Sequence, residues 1–478
     1  MKAAAIRRTA RRWLPLALAA VLAGCATGAI DDNYTSVQRL ARERLGADVK
    51  WLTSDAARRQ ARADIDAALA QPLSADDAVR IALSYSPALQ AALFDGAAAS
   101  AAATQSARLP NPVFTFERLV RNEDGARDLD IGRLLSVSVL DLLLLPARSR
   151  LADFQQQQTR LALAGDVVQA ASDARQAWVR AVAAQQSLQY FEQVASAADA
   201  SAELARRMQA AGNFSKLQRV REQAFSADAA VQLARARMNA QATREAVVRT
   251  LGLDATQAAA LRLPERLPEL PPAPKDEEAV AKAAADGRID VALAKARLEF
   301  TAREQGLTRV TGFVDGVHLG VARNSETGKP PQKGFELEVP LPIFDAGDAS
   351  RSRAQATYMA ALNRVAALAA DASSQLRESH AAYRTAHELA RHYRDEVVPL
   401  RRTIAEENVL RYNGMLIGVF ELLTDARQQI ASVVQAIDAQ RDFWLADAAL
   451  QAAIVGKPTA ALAMAPSQAA AGRDGGGH

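Results

Sequence analysis

Residues 161–182, LALAGDVVQAASDARQAWVRAV, place apolar side chains along one side of a helix. The apolar positions follow one another at intervals of three, four and seven residues, the spacing of an amphipathic helix: Leu161, Ala164, Val168, Ala171, Trp178 and Val182. The stretch lies between Ala147 and Leu263, a segment that contains none of the chain's 18 prolines. A helix over 147–211 would be roughly 100 Å long at about 1.5 Å per residue. Few globular domains contain such a helix, so the stretch predicts a mainly helical, extended architecture.

A break and a returning helix follow. Gly212-Asn213 interrupts the helical pattern, and a second helix is predicted from about Ser215 to Leu251, where Gly252 fits a C-cap. The composition agrees with this interpretation, because alanine is abundant and aromatic residues make up only 5% of the chain. Such a composition is typical of long helices and coiled coils, in which small residues let helices approach closely.

The chain repeats this organisation. The motif Arg148-Ser149-Arg150 recurs 203 residues later at 351–353, and the break at Gly212 recurs 202 residues later at Gly414. Two units of about 200 residues are therefore predicted. The predicted segments are a signal peptide, a lipidated N-terminal segment, the first repeat, a proline-rich linker, the second repeat and a disordered tail: 1–24, 25–72, 73–262, 263–285, 286–456 and 457–478.

Each repeat also contains a pair of short strands. In the first, 113–117 precedes a predicted polar loop over 121–130, and Leu135, Val137 and Val139 then alternate with serines. In the second, a strand with apolar residues at 317, 319 and 321 precedes a predicted polar turn over 324–334. The last strand alternates apolar and acidic residues: Phe335, Glu336, Leu337, Glu338 and Val339. This period of two predicts one apolar and one polar face. Four such strands are too few to close a barrel, so an inserted sheet would need several copies of the chain.

The only cysteine of the chain lies at the end of an N-terminal apolar run. Five basic residues precede the run, and Leu22-Ala23-Gly24-Cys25 ends it, which is the layout of a secretory signal. The last four residues resemble a bacterial lipobox, which implies that Cys25 carries a covalent lipid. Ala26 fits sorting to the outer membrane. A single cysteine also excludes an intramolecular disulfide.

The basic charge of the chain belongs mostly to this signal. Residues 1–24 contain five basic and no acidic residues, so their removal leaves 53 basic against 54 acidic residues. The nearly neutral remainder gives no argument for nucleic-acid binding.

Several motifs, in this order and spacing, resemble the TolC family of outer-membrane efflux channels: 73–83 (LSADDAVRIAL), 86–89 (SPAL), 340–347 (PLPIFDAG), 411–414 (RYNG) and 421–423 (ELL). The resemblance extends from Leu73 to about Gly456. It implies a homotrimer in which four strands per subunit form a 12-stranded transmembrane β-barrel and the long helices form a hollow periplasmic tunnel. It also implies two partners, a periplasmic adaptor (membrane-fusion protein) and an inner-membrane transporter.

Two positions depart from the family pattern. Residues 141–146 (DLLLLP) stand where the family has a shorter junction with a glycine, which leaves the local bend open. At the second tip the family often has two acids three residues apart, whereas Thr424 follows Glu421 at that distance and Asp425 is one residue late.

The candidate site residues follow from the channel interpretation. Glu421, with Asp425 second, is the candidate for an inward ring of carboxylates, although a solvated helix surface explains it equally well. Glu336 and Glu338 are predicted to face the lumen, because a carboxylate facing lipid is unfavourable. The two predicted tips are adaptor-contact candidates, with packing on neighbouring helices as the alternative: Gly212, Asn213, Phe214, Gly414, Met415, Leu416 and Ile417.

The sequence contains no pattern of an enzyme or of a metal site. His380, His387 and His392 are spaced by seven and five residues, which does not place two ligands on one helix face. No cysteine cluster, phosphate-binding loop or catalytic triad is evident, so we expect no cofactor and no enzymatic activity. Two functions remain: a passive outer-membrane conduit of a tripartite export system, and a lipid-anchored periplasmic coiled-coil scaffold without a pore.

Overall fold

The computed structural model describes residues 30–43, 45–123, 126–285, 287–311 and 316–457. The signal peptide, Cys25 and nearly all of the predicted tail lie outside the described residues. Twelve helices are labelled in the described part, of which the first covers residues 30–43. The others are α2 Asp55–Ala68, α3 Ala75–Tyr85, α4 Pro87–Ser106, α5 Val139–Ala210, α6 Lys216–Leu251, α7 Ala255–Ala260, α8 Glu277–Ala285, α9 Ile289–Thr311, α10 Asp348–His392, α11 Val398–Asn413 and α12 Val419–Val455.

Four strands form one antiparallel sheet in the order β1-β2-β3-β4. They are β1 Val113–Glu123, β2 Ala126–Ser138, β3 His318–Glu326 and β4 Gln332–Glu338. Chain contacts divide the described residues into two compact units, and the first, which contains the sheet, draws on the described residues of 30–39, 92–164 and 290–370. The second draws on the described residues of 40–91, 165–289 and 371–457. Each unit takes residues from both predicted repeats, and the predicted repeat boundaries stay predictions.

The hairpins are longer than the sequence predicted. The loop expected over 121–130 is wrong, because β1 continues to Glu123 and β2 begins at Ala126. The turn predicted over 324–334 is also too long, because the observed turn contains only the residues between Glu326 and Gln332. The strands pair through backbone hydrogen bonds, which do not depend on whether a side chain is polar. The pairing therefore continues past the last apolar residues.

The strand ends nearest the helices are also corrected. Val139 is not a strand residue but the first residue of α5, and Val317 and Val339 lie just outside β3 and β4. Helix α5 therefore begins eight residues before the expected start at Ala147 and includes Pro146. The Ser138 hydroxyl accepts a hydrogen bond from the Asp141 backbone N–H at 3.2 Å, which satisfies one of the free donors at this helix end.

The hairpin of α5 and α6 follows the prediction closely. Ser215 begins α6 with a capping box, in which its hydroxyl accepts from the Gln218 N–H and the Gln218 side chain accepts in return. Gly252 ends the helix in the left-handed conformation, with φ of 71°. A Cβ at this glycine would lie 2.1 Å from Cδ of Pro87, so both the backbone and the neighbouring helix require glycine.

The second long helix is interrupted, which the sequence analysis did not predict. Residues Tyr393–Val397 form a π-helical stretch between α10 and α11, and Pro399 follows at the start of α11. Proline has no N–H and its ring collides with the carbonyl four residues earlier in an α-helix. A wider π turn is one way to accommodate it.

The predicted linker over 263–285 is an ordered strap. It ends in α8, and its irregular part lies against α10 and α12 within the second unit. Nε2 of His387 lies 2.9 Å from the Pro271 carbonyl oxygen, and Nε2 of His380 lies 3.1 Å from the carbonyl oxygen of Lys275. Both histidines therefore hold the strap. The cluster beneath it is apolar and aromatic: Leu270, Val280, Tyr383, Ala386, Ala390, Phe443, Ala446 and Leu450.

None of the helices in the described part combines the length and apolar character needed to cross a membrane.

Candidate functional site

The sheet has two chemically different faces, which its register defines. In antiparallel strands, directly opposed residues lie on the same face. Leu337 is opposed to Leu319, which is opposed to Val137. Next to this row, Phe335, Val321, Leu135 and Phe114 form a second apolar row across all four strands. We call the face of these residues the apolar face.

The opposite face carries the carboxylates, and we call it the acidic face. Glu336 is opposed to Gly320, and Glu338 is opposed to His318, so the two predicted glutamates share it. By the same register it holds six acidic residues within strand residues 113–122, 127–138, 318–326 and 332–338: Glu117, Asp128, Asp130, Glu326, Glu336 and Glu338. The only Lys or Arg residue of the described strands on this face is Arg121. The structure thus brings the two predicted glutamates together with four acids that sequence reasoning missed.

Small residues show that the acidic face is crowded. A Cβ at Gly320 would lie 2.6 Å from Cδ1 of Leu134 and 3.2 Å from Cβ of Ser136. A Cβ at Gly132 would lie 3.3 Å from Cβ of Glu117. The crowding is local to β1, β2 and β3, because a Cβ at Gly334 of β4, on the same face, would meet nothing within 4 Å.

The apolar face is exposed in the single chain. Phe335 is 80% exposed, and Val321 and Leu337 are 69% and 58% exposed. The alternation continues past the end of β4, where Val339, Leu341 and Ile343 are also exposed. An exposed apolar surface of this extent marks contact with a partner or with lipid.

The two helix tips are built alike, but the predicted alignment between them is off by one residue. In the first tip, Gly212 is left-handed with φ of 79°, and the Asn213 N–H donates to the Met208 carbonyl at 2.9 Å. In the second, the left-handed residue is Met415, with φ of 56°, and the Leu416 N–H donates to the Arg411 carbonyl at 2.8 Å.

Gly212 therefore corresponds to Met415, at the same offset of 203 residues as the Arg-Ser-Arg motifs, and not to Gly414. Met415 is 93% exposed and Leu416 is 74% exposed. Phe214 and Ile417 are half-buried, and Asn213 is exposed. The second tip thus presents two large apolar side chains to solvent, whereas the first presents mainly small or polar ones.

Replacing Met415 by glycine tests the strain at this tip. A left-handed conformation costs a residue with a Cβ roughly 1–2 kcal/mol, so we expect Met415→Gly to stabilise the tip by about 1 kcal/mol against local opening. Hydrogen exchange of the 408–425 backbone measures it, with greater protection expected. The matched change Gly212→Met should have the opposite effect on the first tip, and equal protection in both variants would contradict the assignment.

The two gate candidates have different surroundings. Glu421 is exposed in the first turn of α12. Asp425 accepts a hydrogen bond from the amide of Asn408, whose residue is only 6% exposed, and so links α12 to α11. The structure gives Asp425 a contact within its own hairpin and leaves the Glu421 carboxylate directed to solvent.

Sequence reasoning missed a buried charge in the second unit. Glu222 is 4% exposed, and its carboxylate accepts from the Ser201 hydroxyl at 2.9 Å. Arg427 lies 3.6 Å from the same carboxylate and 4.3 Å from the ring centroid of Phe225. This cluster joins α5, α6 and α12. The described residues contain no group of three or more His, Cys, Asp or Glu side chains placed to hold a metal ion.

Sequence comparison gives no match: no protein-family model matches the chain, and neither does any curated protein. Comparison with solved structures, in contrast, gives clear matches. A membrane protein from Pseudomonas aeruginosa matches with a TM-score of 0.68 at 21% identity, over 80% of this chain and 93% of its own. The Campylobacter jejuni CmeC outer membrane channel matches with a TM-score of 0.68 at 15% identity, over 80% of this chain and 86% of its own.

The outer membrane protein VceC from Vibrio cholerae matches with a TM-score of 0.67 at 14% identity, over 84% of this chain and 98% of its own. These similarities cover 86–98% of the length of the three solved chains. The chain therefore has the fold of the TolC-type outer-membrane channels.

Proposed function

We propose that this chain forms a passive outer-membrane channel. In this proposal an inner-membrane transporter and a periplasmic adaptor deliver substrates to it, and it conducts them from the periplasm to the exterior. The observation that carries the proposal is the division of the sheet into an exposed apolar face and an acidic face. A sheet that meets lipid on one side and an aqueous lumen on the other requires this division.

The open edges of the sheet support a homotrimer. Strands β1 and β4 each pair with one neighbour in the described sheet. Unpaired backbone groups are not tolerated in a bilayer, so an inserted sheet must close. Three copies, joined by β1 of one and β4 of the next, give 12 strands, which lies within the range known for closed barrels. The fold comparison supports the same arrangement.

The lipid anchor on Cys25 remains part of the proposal. It would hold the N-terminus at the outer membrane and precede the described residues. The two tips are proposed as the adaptor-contact surface, with Met415 and Leu416 as its apolar centre. Glu421 is proposed to form a ring of three carboxylates at the periplasmic entrance, whereas Asp425 has a structural hydrogen bond.

The test separates the channel from the periplasmic scaffold. The Cys25→Ser variant is exported through a signal without a lipobox, and the mass of the protein extracted from membranes is measured in detergent. A channel remains integral without its lipid and has the mass of a trimer. A soluble monomer or dimer would overturn the channel and support the scaffold.

The acidic face predicts the charge selectivity of the pore. The carboxylates on this face favour cations in a narrow lumen. We expect Glu336→Gln with Glu338→Gln to lower the cation-over-anion permeability ratio by about two- to fivefold, because six charges are lost per trimer. The reversal potential of single trimers in a planar bilayer under a KCl gradient measures the ratio.

A matched control removes the same number of charges outside the sheet. Glu277 and Glu278 are exposed at the start of α8, and their double change to Gln should leave the permeability ratio unaltered. An equal shift in both double variants would show that the strand glutamates do not line the conducting path.

A further inference from the structure

The apolar face of the sheet carries a row of cations beside its apolar rows. Next to the row that contains Phe335, the directly opposed residues of the four strands are Phe116, Arg133, Arg323 and Lys333. Opposed Cβ atoms in antiparallel strands are about 4.5–5.5 Å apart, and like charges at that distance repel. We call Arg133, Arg323 and Lys333 the basic row. Three adjacent cations of this kind require a counter-charge.

The sheet itself does not supply that counter-charge on this face. By the register, the described strand residues of the apolar face include no Asp or Glu. Two further arginines, Arg118 and Arg127, lie on the same face nearer the hairpin turns. The six carboxylates of strand residues 113–122, 127–138, 318–326 and 332–338 lie on the opposite face, with the sheet between them and the basic row. The partner must therefore come from outside the sheet.

The position of the basic row indicates which kind of partner it is. Apolar residues occupy every second position from Phe335 to Ile343, first within β4 and then past its end at Glu338. The outward apolar band of an outer-membrane barrel ends at the two membrane interfaces, where the polar headgroups lie. Lys333 lies two residues beyond the end of this stripe, on the side of the hairpin turns. On the neighbouring strands Ile131, Leu129 and Val120 continue the apolar face toward the turns. Long Lys and Arg side chains between apolar residues extend along them and bring their charged ends to the lipid headgroups.

On the basis of the channel proposed above, we infer that the basic row binds phosphate groups of anionic lipid in the leaflet nearest the hairpin turns. Arginine presents a planar fork of donors that matches a phosphate bidentately, and lysine adds a point charge. Phosphates between the side chains remove the repulsion within the row. A transported substrate does not explain the row, because it lies on the face opposite the carboxylates. Three copies of the chain place three such rows around the barrel.

The inference is tested on the full-length trimer extracted from membranes and delipidated in detergent. Native mass spectrometry measures the binding of diphosphoryl lipid A and of monophosphoryl lipid A. We expect the wild type to bind the diphosphoryl form more tightly. Changing Arg133, Arg323 and Lys333 together to Gln should weaken that binding by roughly 10- to 100-fold and remove the preference.

The control variant removes three cations elsewhere, with Arg121, Arg235 and Arg364 changed to Gln. All three are exposed, and Arg121 lies on the acidic face. We expect affinity within about twofold of the wild type. Unchanged binding in the basic-row variant, or an equal loss in the control, would overturn the inference and leave the channel proposal intact.

Two further outcomes are decisive. If the triple variant does not assemble, Arg323→Gln and Lys333→Gln are measured singly, each with an expected loss of about three- to fivefold, and unchanged affinity in both overturns the inference. If the wild type itself is not recovered as a membrane trimer, the proposed channel fails, and the lipid site fails with it.

Discussion

Replacing Leu337 by arginine is expected to abolish recovery of a membrane-inserted trimer. Leu337 lies in β4 on the apolar face, opposite Leu319, and is 58% exposed in the single chain. An arginine facing lipid near the middle of a bilayer costs about 2–4 kcal/mol per copy, and a trimer would contain three. The membrane fraction after a urea wash, followed by native electrophoresis in detergent, measures the loss.

The neighbouring residue gives a control of the same chemistry. Glu336 precedes Leu337 in the same strand but lies on the acidic face. Glu336→Arg therefore introduces the same side chain toward the proposed lumen, and we expect trimers in near-normal amount. If both variants inserted equally well, or both failed, the assignment of the two faces to lipid and lumen would be wrong.

The second large effect is expected in the core under the strap. Phe443 is 1% exposed, and its ring centroid lies 5.5 Å from those of Tyr383 and His387 and 5.0 Å from that of Trp444. Phe443→Ala should lower the free energy of unfolding by about 3–5 kcal/mol, because it removes buried apolar surface and leaves a cavity. The denaturation midpoint of the detergent-solubilised protein measures it.

The strap provides a second measurement of the same change. His387 contacts both the ring of Phe443 and the carbonyl of Pro271, so a cavity at Phe443 should loosen residues 263–276 and speed their proteolysis. Phe443→Leu keeps most of the volume and should cost less than about 1.5 kcal/mol. Equal effects of the two substitutions would show that the site tolerates a cavity and that the cluster does not hold the strap.

The helical part of the fold was predictable because its signals are local. Ser215 and Gly252 lie at the two ends of α6, as the capping rules require, and the break after α5 falls at Gly212. Strand alternation likewise identified the faces of Glu336 and Glu338 within the sheet. Each of these inferences needs only residues that are close together in sequence.

What the sequence did not predict depends on contacts between distant residues. Glu222 and Arg427 are more than 200 positions apart, and no local pattern distinguishes them from surface charges. The hairpin extensions over 121–130 were missed because their polar residues resemble a loop until the register of the partner strand is known. The left-handed Met415 was missed because the adjacent glycine is the residue that normally adopts this conformation.

The unpaired edges of β1 and β4 have a kinetic consequence. In the proposed channel, a newly exported copy carries two unpaired strand edges and an exposed apolar face, and such surfaces promote aggregation. In the proposed trimer all edges disappear only when the third copy arrives, so productive closure rises steeply with the local number of copies. If the trimer forms in this way, single chains need protection from aggregation until three meet. Overproduction is then expected to yield aggregates before it yields more pores.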